Sequence, residues 1–210
     1  DINFINGRLN NIAYLPNPLS MTPLSSIPKK NNVILAVGRM EAWHVKGFDL
    51  LIDAWSQIAN NYIDWKLQIM GGGDDAYKRE LIERAKKTGF INRIEFIGFN
   101  DNPRHYFADA SIFVLSSRYE GFGMVLLEAM SQGCACIACD YKGRQKEILN
   151  SKKVGITCQS NSVDDLKKSL EYMLDNKYYR ESIRMDAIER AKEYSLDKII
   201  DKWEDILSAI

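Results

Sequence analysis

The sequence has no surplus of either charge: 28 Lys and Arg stand against 28 Asp and Glu over 210 residues. No overall field therefore draws the chain to nucleic acid or to a charged membrane, and any phosphate site has to be local. It has no apolar run approaching the roughly eighteen residues of a membrane span and no signal-peptide pattern. Cysteine is scarce, with four residues. Cys134, Cys136 and Cys139 share the run CACIACD, where alternate strand side chains face opposite ways, so buried reduced thiols are expected in place of a zinc cage. Reduced thiols favour the cytoplasm. Also missing are an Asp-x-Asp pair and, after the triple glycine at 71–73, any G-x-G-x-x-G or G-K-[ST] continuation, which sets aside the dinucleotide and P-loop readings.

What the sequence does have is the stretch 111–134, SIFVLSSRYEGFGMVLLEAMSQGC. Ile112, Phe113, Val114 and Leu115 suit a buried strand, and Ser116, Ser117, Arg118 and Tyr119 break it. Residues 123–131 then suit a buried helix, with Gly133 as its stop. Glu128 sits inside that apolar helix and Glu120 at its mouth. A buried carboxylate without a donor costs several kcal/mol, so each acid requires a partner. A helix starting near Gly123 puts Glu128 roughly 7 to 8 Å along the axis. Gly121 and Gly123 leave backbone N–H groups bare beside the helix tip, which suits an anion. Acids at both ends and a positive pole between them fit a nucleotide sugar. Two incidental acids salt-bridged on a core helix are the plainer alternative.

Five further runs, at 33–37, 65–70, 93–97, 134–139 and 154–158, read as strands. Helical patterns separate them at 47–60, 75–88, around Tyr106 and Phe107, and at 162–176, with two C-terminal helices at 177–194 and 196–210. One more short strand, 11–15, is expected ahead of these, ending at Pro16-Asn17-Pro18. Residues 40–46 and 140–147 read as loops. This alternation specifies a doubly wound parallel α/β sheet, Rossmann-like, with ligand loops at the carboxyl ends of the strands. Arg39 and Lys46 flank the first such loop. A planar guanidinium and a mobile ammonium suit two phosphates and the charge that develops as a diphosphate departs; two solvated cations are the alternative. Trp43 and His44, between them, read as loop packing and a solvated imidazole.

The run from Glu120 to Glu128, EGFGMVLLE, resembles the E-x7-E signature of retaining glycosyltransferases of group 1 (family 4), enzymes with the two-domain GT-B fold. Pro16-Asn17-Pro18 is similar to the I-P-N-P segment leading into their C-terminal domain. Arg39 and Lys46 match their G-R-x-K-G region, with about two extra residues between the cations. The loop DYKGRQKEIL keeps Gly143, Glu147 and Ile148 and carries Arg144 where a second glycine is common. The resemblance spans about residues 12–200 and implies one donor-binding domain over 1–210, the N-terminal acceptor domain being absent from the sequence.

By that resemblance Arg39, Lys46 and Glu120 are the catalytic residues, the two cations replacing a metal so that no cofactor is required. Gly38, Gly72, Phe99, Gly121, Phe122, Gly123, Met124 and Glu128 line the donor, with Glu128 on the ribose and the base read mainly by backbone. The implied reaction moves a hexose from a nucleoside diphosphate to a glycan or lipid-linked acceptor, with UDP-sugar ahead of GDP-sugar. The acceptor, and any peripheral attachment to the inner face of the membrane, would come through the missing domain; nucleic acid is not a partner. The domain alone is expected to be inactive. Alternatives are a nucleotide-sugar binding module without activity and a GT-B sugar-nucleotide epimerase.

Overall fold

Residues 13–141 and 145–208 are described in the computed structural model. Six strands, β1 (Asn31–Val37), β2 (Lys66–Met70), β3 (Ile94–Ile97), β4 (Ala110–Leu115), β5 (Ala135–Cys139) and β6 (Ile156–Cys158), form one sheet in the order β3-β2-β1-β4-β5-β6. Every pairing is parallel. The period of two decides which layer each side chain joins. Ile34, Ala36, Ile112 and Val114 pack on one face with Leu51, Trp55 and Leu170, while Val33, Leu35, Phe113 and Leu115 pack on the other with Leu126, Leu127 and Met130. All six residues of β4 are buried, as a central strand covered on both faces requires. At roughly 1.5–3 kcal/mol for each large apolar side chain buried, these two layers supply the main drive to fold.

The described helices are α1 (Trp43–Lys46), α2 (Phe48–Ile58), α3 (Asp75–Lys87), α4 (Arg104–Asp109), α5 (Met124–Ser131), α6 (Gln145–Ile148), α7 (Val163–Asp175), α8 (Lys177–Lys192) and α9 (Leu196–Ser208). Their ends follow local chemistry. Asp74 caps α3 by accepting from the Ala76 N–H at 2.7 Å, and Ser162 caps α7 by accepting from the Asp165 N–H at 3.1 Å; such caps contribute about 1 kcal/mol each. Gly133, at φ 71°, ends α5, a conformation that glycine adopts without strain. No described helix is long and apolar enough to cross a membrane.

Four expectations need correction. Residues 40–46 are helical: a 3₁₀ turn, Met40–Ala42, runs into α1, because buried Met40 anchors the turn and Gly47 at φ 67° closes it. Residues 13–15 are not a strand, and Asn11 and Ile12 lie outside the described residues. The segment that follows meets the C-terminal half instead, the Leu19 N–H donating to Tyr194 O at 2.6 Å. The 140–147 loop contains most of the single turn of α6, while residues 142–144, including Gly143 and Arg144, lie outside the description. The last strand starts at Ile156, since Val154 still closes a turn onto Ser151 O at 3.2 Å. The four thiols are free and buried. Cys134 and Cys136 lie in one core layer, whereas Cys139 joins the other with Cys158, their sulfurs 3.4 Å apart on neighbouring strands.

Candidate functional site

Because the strands are parallel, their carboxyl ends share one edge. The sheet order reverses between β1 and β4, so the segments leaving these two strands diverge and open a crevice at that edge. Lys46, from the β1 side, and Glu120, from the β4 side, meet there with Nζ 2.6 Å from Oε1. Ser117 Oγ donates to the same carboxylate oxygen at 2.8 Å. The side chains are 21% and 12% exposed, largely shielded with a remnant of each at the surface. Lys46 reaches this position by lying across Gly38, where a Cβ would stand 3.0 Å from the lysine Cγ.

Backbone links hold the two sides of the crevice together. The Arg118 N–H donates to Val45 O at 2.8 Å and Ser116 Oγ to Lys46 O at 2.8 Å. The Arg118 guanidinium bonds His44 O and takes both oxygens of Asp49 at 2.8 Å each. Gly47 lies so close to Ser116 that a Cβ would be 2.1 Å from its carbonyl oxygen. Burial alone would raise the Asp49 pKa, but the hydrogen bond and charge of Arg118 outweigh it and hold the carboxyl below its ordinary value. Arg118 and Asp49 were not among the expected site residues, although an acid within the apolar run FDLLIDAW signals a required partner.

On the β4 side, Gly121 faces open space, and Gly123 at φ 90° precedes α5 without a side-chain cap. The first turn of α5 therefore presents backbone N–H groups at its positive end. Tyr141, also missed in the sequence, lies under this turn: its hydroxyl donates to Phe122 O at 3.1 Å and occupies the space a Cβ of Gly123 would need. Burial, then the charge of Glu120, pushes the phenol pKa upward, so it stays a neutral donor. Glu128 is half-buried on α5 and accepts from Ser20 Oγ at 2.8 Å. Met124 and Val125 are half-buried beside it, so the helix is less enclosed than its composition implies.

The remaining expected residues are divided. Gly72 and Phe99 come together beyond β2 and β3, a Cβ on Gly72 falling 2.9 Å from that of Phe99, yet Phe99 is 78% exposed and does not join the core. Arg39 follows Gly38 at the same edge; its side chain is exposed and has no hydrogen bond or ion pair among the described residues. The expected site residues thus lie in the segments that follow the strands' carboxyl ends, with Lys46 at the end of α1 and Met124 and Glu128 on α5. Contacts tie Gly38 to Lys46 to Glu120, and Gly72 to Phe99, as two clusters.

A match to the family described as glycosyl transferases group 1 covers residues 23–194. The chain belongs to this family. Among its relatives are an uncharacterized glycosyltransferase of Haemophilus influenzae, 29% identical over 95% of this chain and 56% of that protein, and the amylovoran biosynthesis glycosyltransferase AmsD of Erwinia amylovora, 31% identical over 86% and 49%. The chain spans about half the length of these curated relatives. The fold matches TarM of S. aureus with a TM-score of 0.83 over 98% of this chain and 41% of that one, at 20% identity. It matches Anabaena HepE in complex with UDP at 0.77, over 86% and 50%, at 23% identity. For this group 1 member the doubly wound sheet is accordingly one half of the GT-B architecture.

Proposed function

We propose that this chain is the donor-binding domain of a retaining hexosyltransferase that uses a nucleoside-diphosphate sugar, UDP-sugar ahead of GDP-sugar. One observation carries the reading: a lysine and a glutamate from opposite sides of the switch point form an ion pair beside uncapped helix N–H groups. When a diphosphate enters, Lys46 exchanges the Glu120 carboxylate for phosphate oxygens, with Arg39 as the second cation. Glu120 is then released to accept hydroxyls of the sugar. At the other end, Ser20 gives up Glu128 to the ribose hydroxyls.

In the reaction, the bond from the anomeric carbon to the diphosphate oxygen breaks and a bond to the acceptor oxygen forms on the same face. The acceptor proton passes to the departing phosphate. The charge that grows on that phosphate is met by Arg39, Lys46 and the α5 tip, preorganised groups of the kind that lower such barriers; the proposal requires no metal. Support for a glycan or lipid-linked acceptor comes from relatives named for amylovoran biosynthesis and for transfer to a diphospho-undecaprenol glycan, and support for uridine from a fold neighbour described with UDP and glucose. The acceptor would be held by the other half of a full-length protein.

A panel of nucleotides and nucleotide sugars, scored by thermal stabilisation, tests the reading. UDP or a UDP-sugar at a hundred times its Kd should stabilise the fold by about 2.7 kcal/mol; no stabilisation by any nucleoside diphosphate would refute it. A binding module without activity is the second reading, and it fails if the chain transfers sugar.

A further inference from the structure

At the edge opposite the crevice, where the strands begin, a cavity of about 440 Å³ lies between the segment leading into β1, the start of β4 and the first two turns of α8. Five cations line it, Lys29, Lys30, Lys177, Arg180 and Arg184, against the single carboxylate of Glu181. In a chain of zero formal charge this is a strong local imbalance, and it owes nothing to the carboxyl-edge site.

Two of the cations are accounted for by the fold. Lys30 donates to Phe107 O at 2.9 Å and Gln132 O at 2.6 Å, near the ends of α4 and α5. Arg180 bonds the Met173 and Leu174 carbonyls at the end of α7 and stacks 5.0 Å over the Trp65 ring. Cations at helix C-termini and over indole faces are ordinary stabilising arrangements. Glu181 is already engaged with Lys177, 3.8 Å away.

Arg184 has no such account. It is only 7% exposed, and among the described residues its Nε has no partner and its one hydrogen bond is a long one, 3.4 Å from Nη2 to Ser111 O. Among the described residues it forms no ion pair. A buried guanidinium carries five donors in a fixed plane, and leaving them unmatched is costly. Arg184 lines a cavity that also presents two exposed ammonium groups, Lys29 and Lys177. The first N–H groups of α8, a 16-residue helix, add their positive end at the same place.

We propose that this amino-edge cavity binds a phosphate group, with Arg184 as its buried fork and Lys29 and Lys177 closing over it. A guanidinium matches two phosphate oxygens side by side, and ammonium groups neutralise the rest of the charge. The phosphate could be carried by a soluble molecule or by an anionic lipid headgroup; the recognition chemistry is the same.

The test is titration of the chain with inorganic phosphate at constant ionic strength, followed by amide NMR. Shifts are expected at residues 27–32, 111 and 177–184, and shifts confined to 38–47 and 120–126 would overturn the proposal. Arg184→Gln should weaken phosphate binding at least tenfold. Should that variant fold poorly, the surface double variant Lys29→Ala/Lys177→Ala, which leaves the core untouched, should weaken it at least fivefold; unchanged affinity overturns the site. In parallel, the chain is sedimented with phosphatidylglycerol and with phosphatidylcholine vesicles. Binding to phosphatidylglycerol alone that Arg184→Gln abolishes identifies a headgroup site, and a response to free phosphate without vesicle binding identifies a soluble ligand. Vesicle binding that survives Arg184→Gln, or no response to either probe, rejects the proposal.

Discussion

Arg118 grips Asp49 with both prongs of its guanidinium, Nη1 to Oδ1 and Nη2 to Oδ2 at 2.8 Å each, and with the same group holds the carbonyl of His44. The pair thereby connects the end of β4 to the start of α2 and fixes the short helix that delivers Lys46. Removing Arg118 leaves the buried Asp49 carboxylate without its cation, and removing Asp49 leaves the partly buried guanidinium with His44 O and Asn161 Oδ1 alone. Asp49→Asn or Arg118→Met should therefore cost roughly 3 kcal/mol or more in thermal or urea unfolding, and should also weaken nucleotide binding because Lys46 loses its mooring.

The same pair sets a pH dependence. Since the folded-state pKa of Asp49 is depressed by Arg118 against the opposing effect of burial, its stabilisation is complete above the unfolded-state value of about 3.9. It is lost as pH falls through the lower, folded value. Acid titration of stability should show a smaller loss below about pH 4 in Asp49→Asn than in the parent chain. Equal acid slopes in the two would mean that the carboxylate contributes nothing.

Nucleotide binding should separate the four proposed site side chains. A hydrogen bond to a charged group contributes roughly 1.5–3 kcal/mol, so Arg39→Ala or Lys46→Ala should each weaken UDP binding by about one to two orders of magnitude in calorimetry. Glu128→Ala should weaken it more than Glu120→Ala, because Glu120 pairs with Lys46 in the free protein and, on the proposed function, faces the sugar and not the nucleotide. UDP-sugar binding and transfer by a full-length protein should be indifferent to EDTA.

Much of the fold is legible in the sequence, for identifiable reasons. The strands announce themselves because residues such as Ile34, Leu35, Phe113 and Val114 are buried on both faces of the sheet, which writes a continuous apolar run. Glu120 and Glu128 stand out because an acid in such surroundings demands a donor, and both have one. What stays hidden depends on tertiary contact. The turn at 40–46 has no helical pattern of its own and is fixed by buried Met40 and by Arg118, more than seventy residues away. Tyr141 reads as one loop residue among several, and only the fold puts its hydroxyl under Phe122.

Glycines supply a further test, since they differ in what surrounds them. Gly71→Ala would put a Cβ 1.7 Å from Gly38 O, and Gly47→Ala would put one 2.1 Å from Ser116 O at a positive φ of 67°. Both should destabilise by more than about 2 kcal/mol, as strained or overpacked sites do. Gly121→Ala meets nothing within 4 Å; it should leave the melting temperature nearly unchanged and impair nucleotide-sugar binding, because the methyl group would occupy the approach to the α5 tip.

The contact between Gly71 and the carbonyl of Gly38 also limits how this protein can diversify. Where β1 and β2 finish, main chain lies on main chain, and that rim can accept almost no alternative side chains. On the proposed function, a descendant that came to prefer a different base or sugar would have to change at looser positions on the border, such as Phe99, which is largely exposed. Preference and scaffold are thus inherited through separate residues, and one can drift while the other is held.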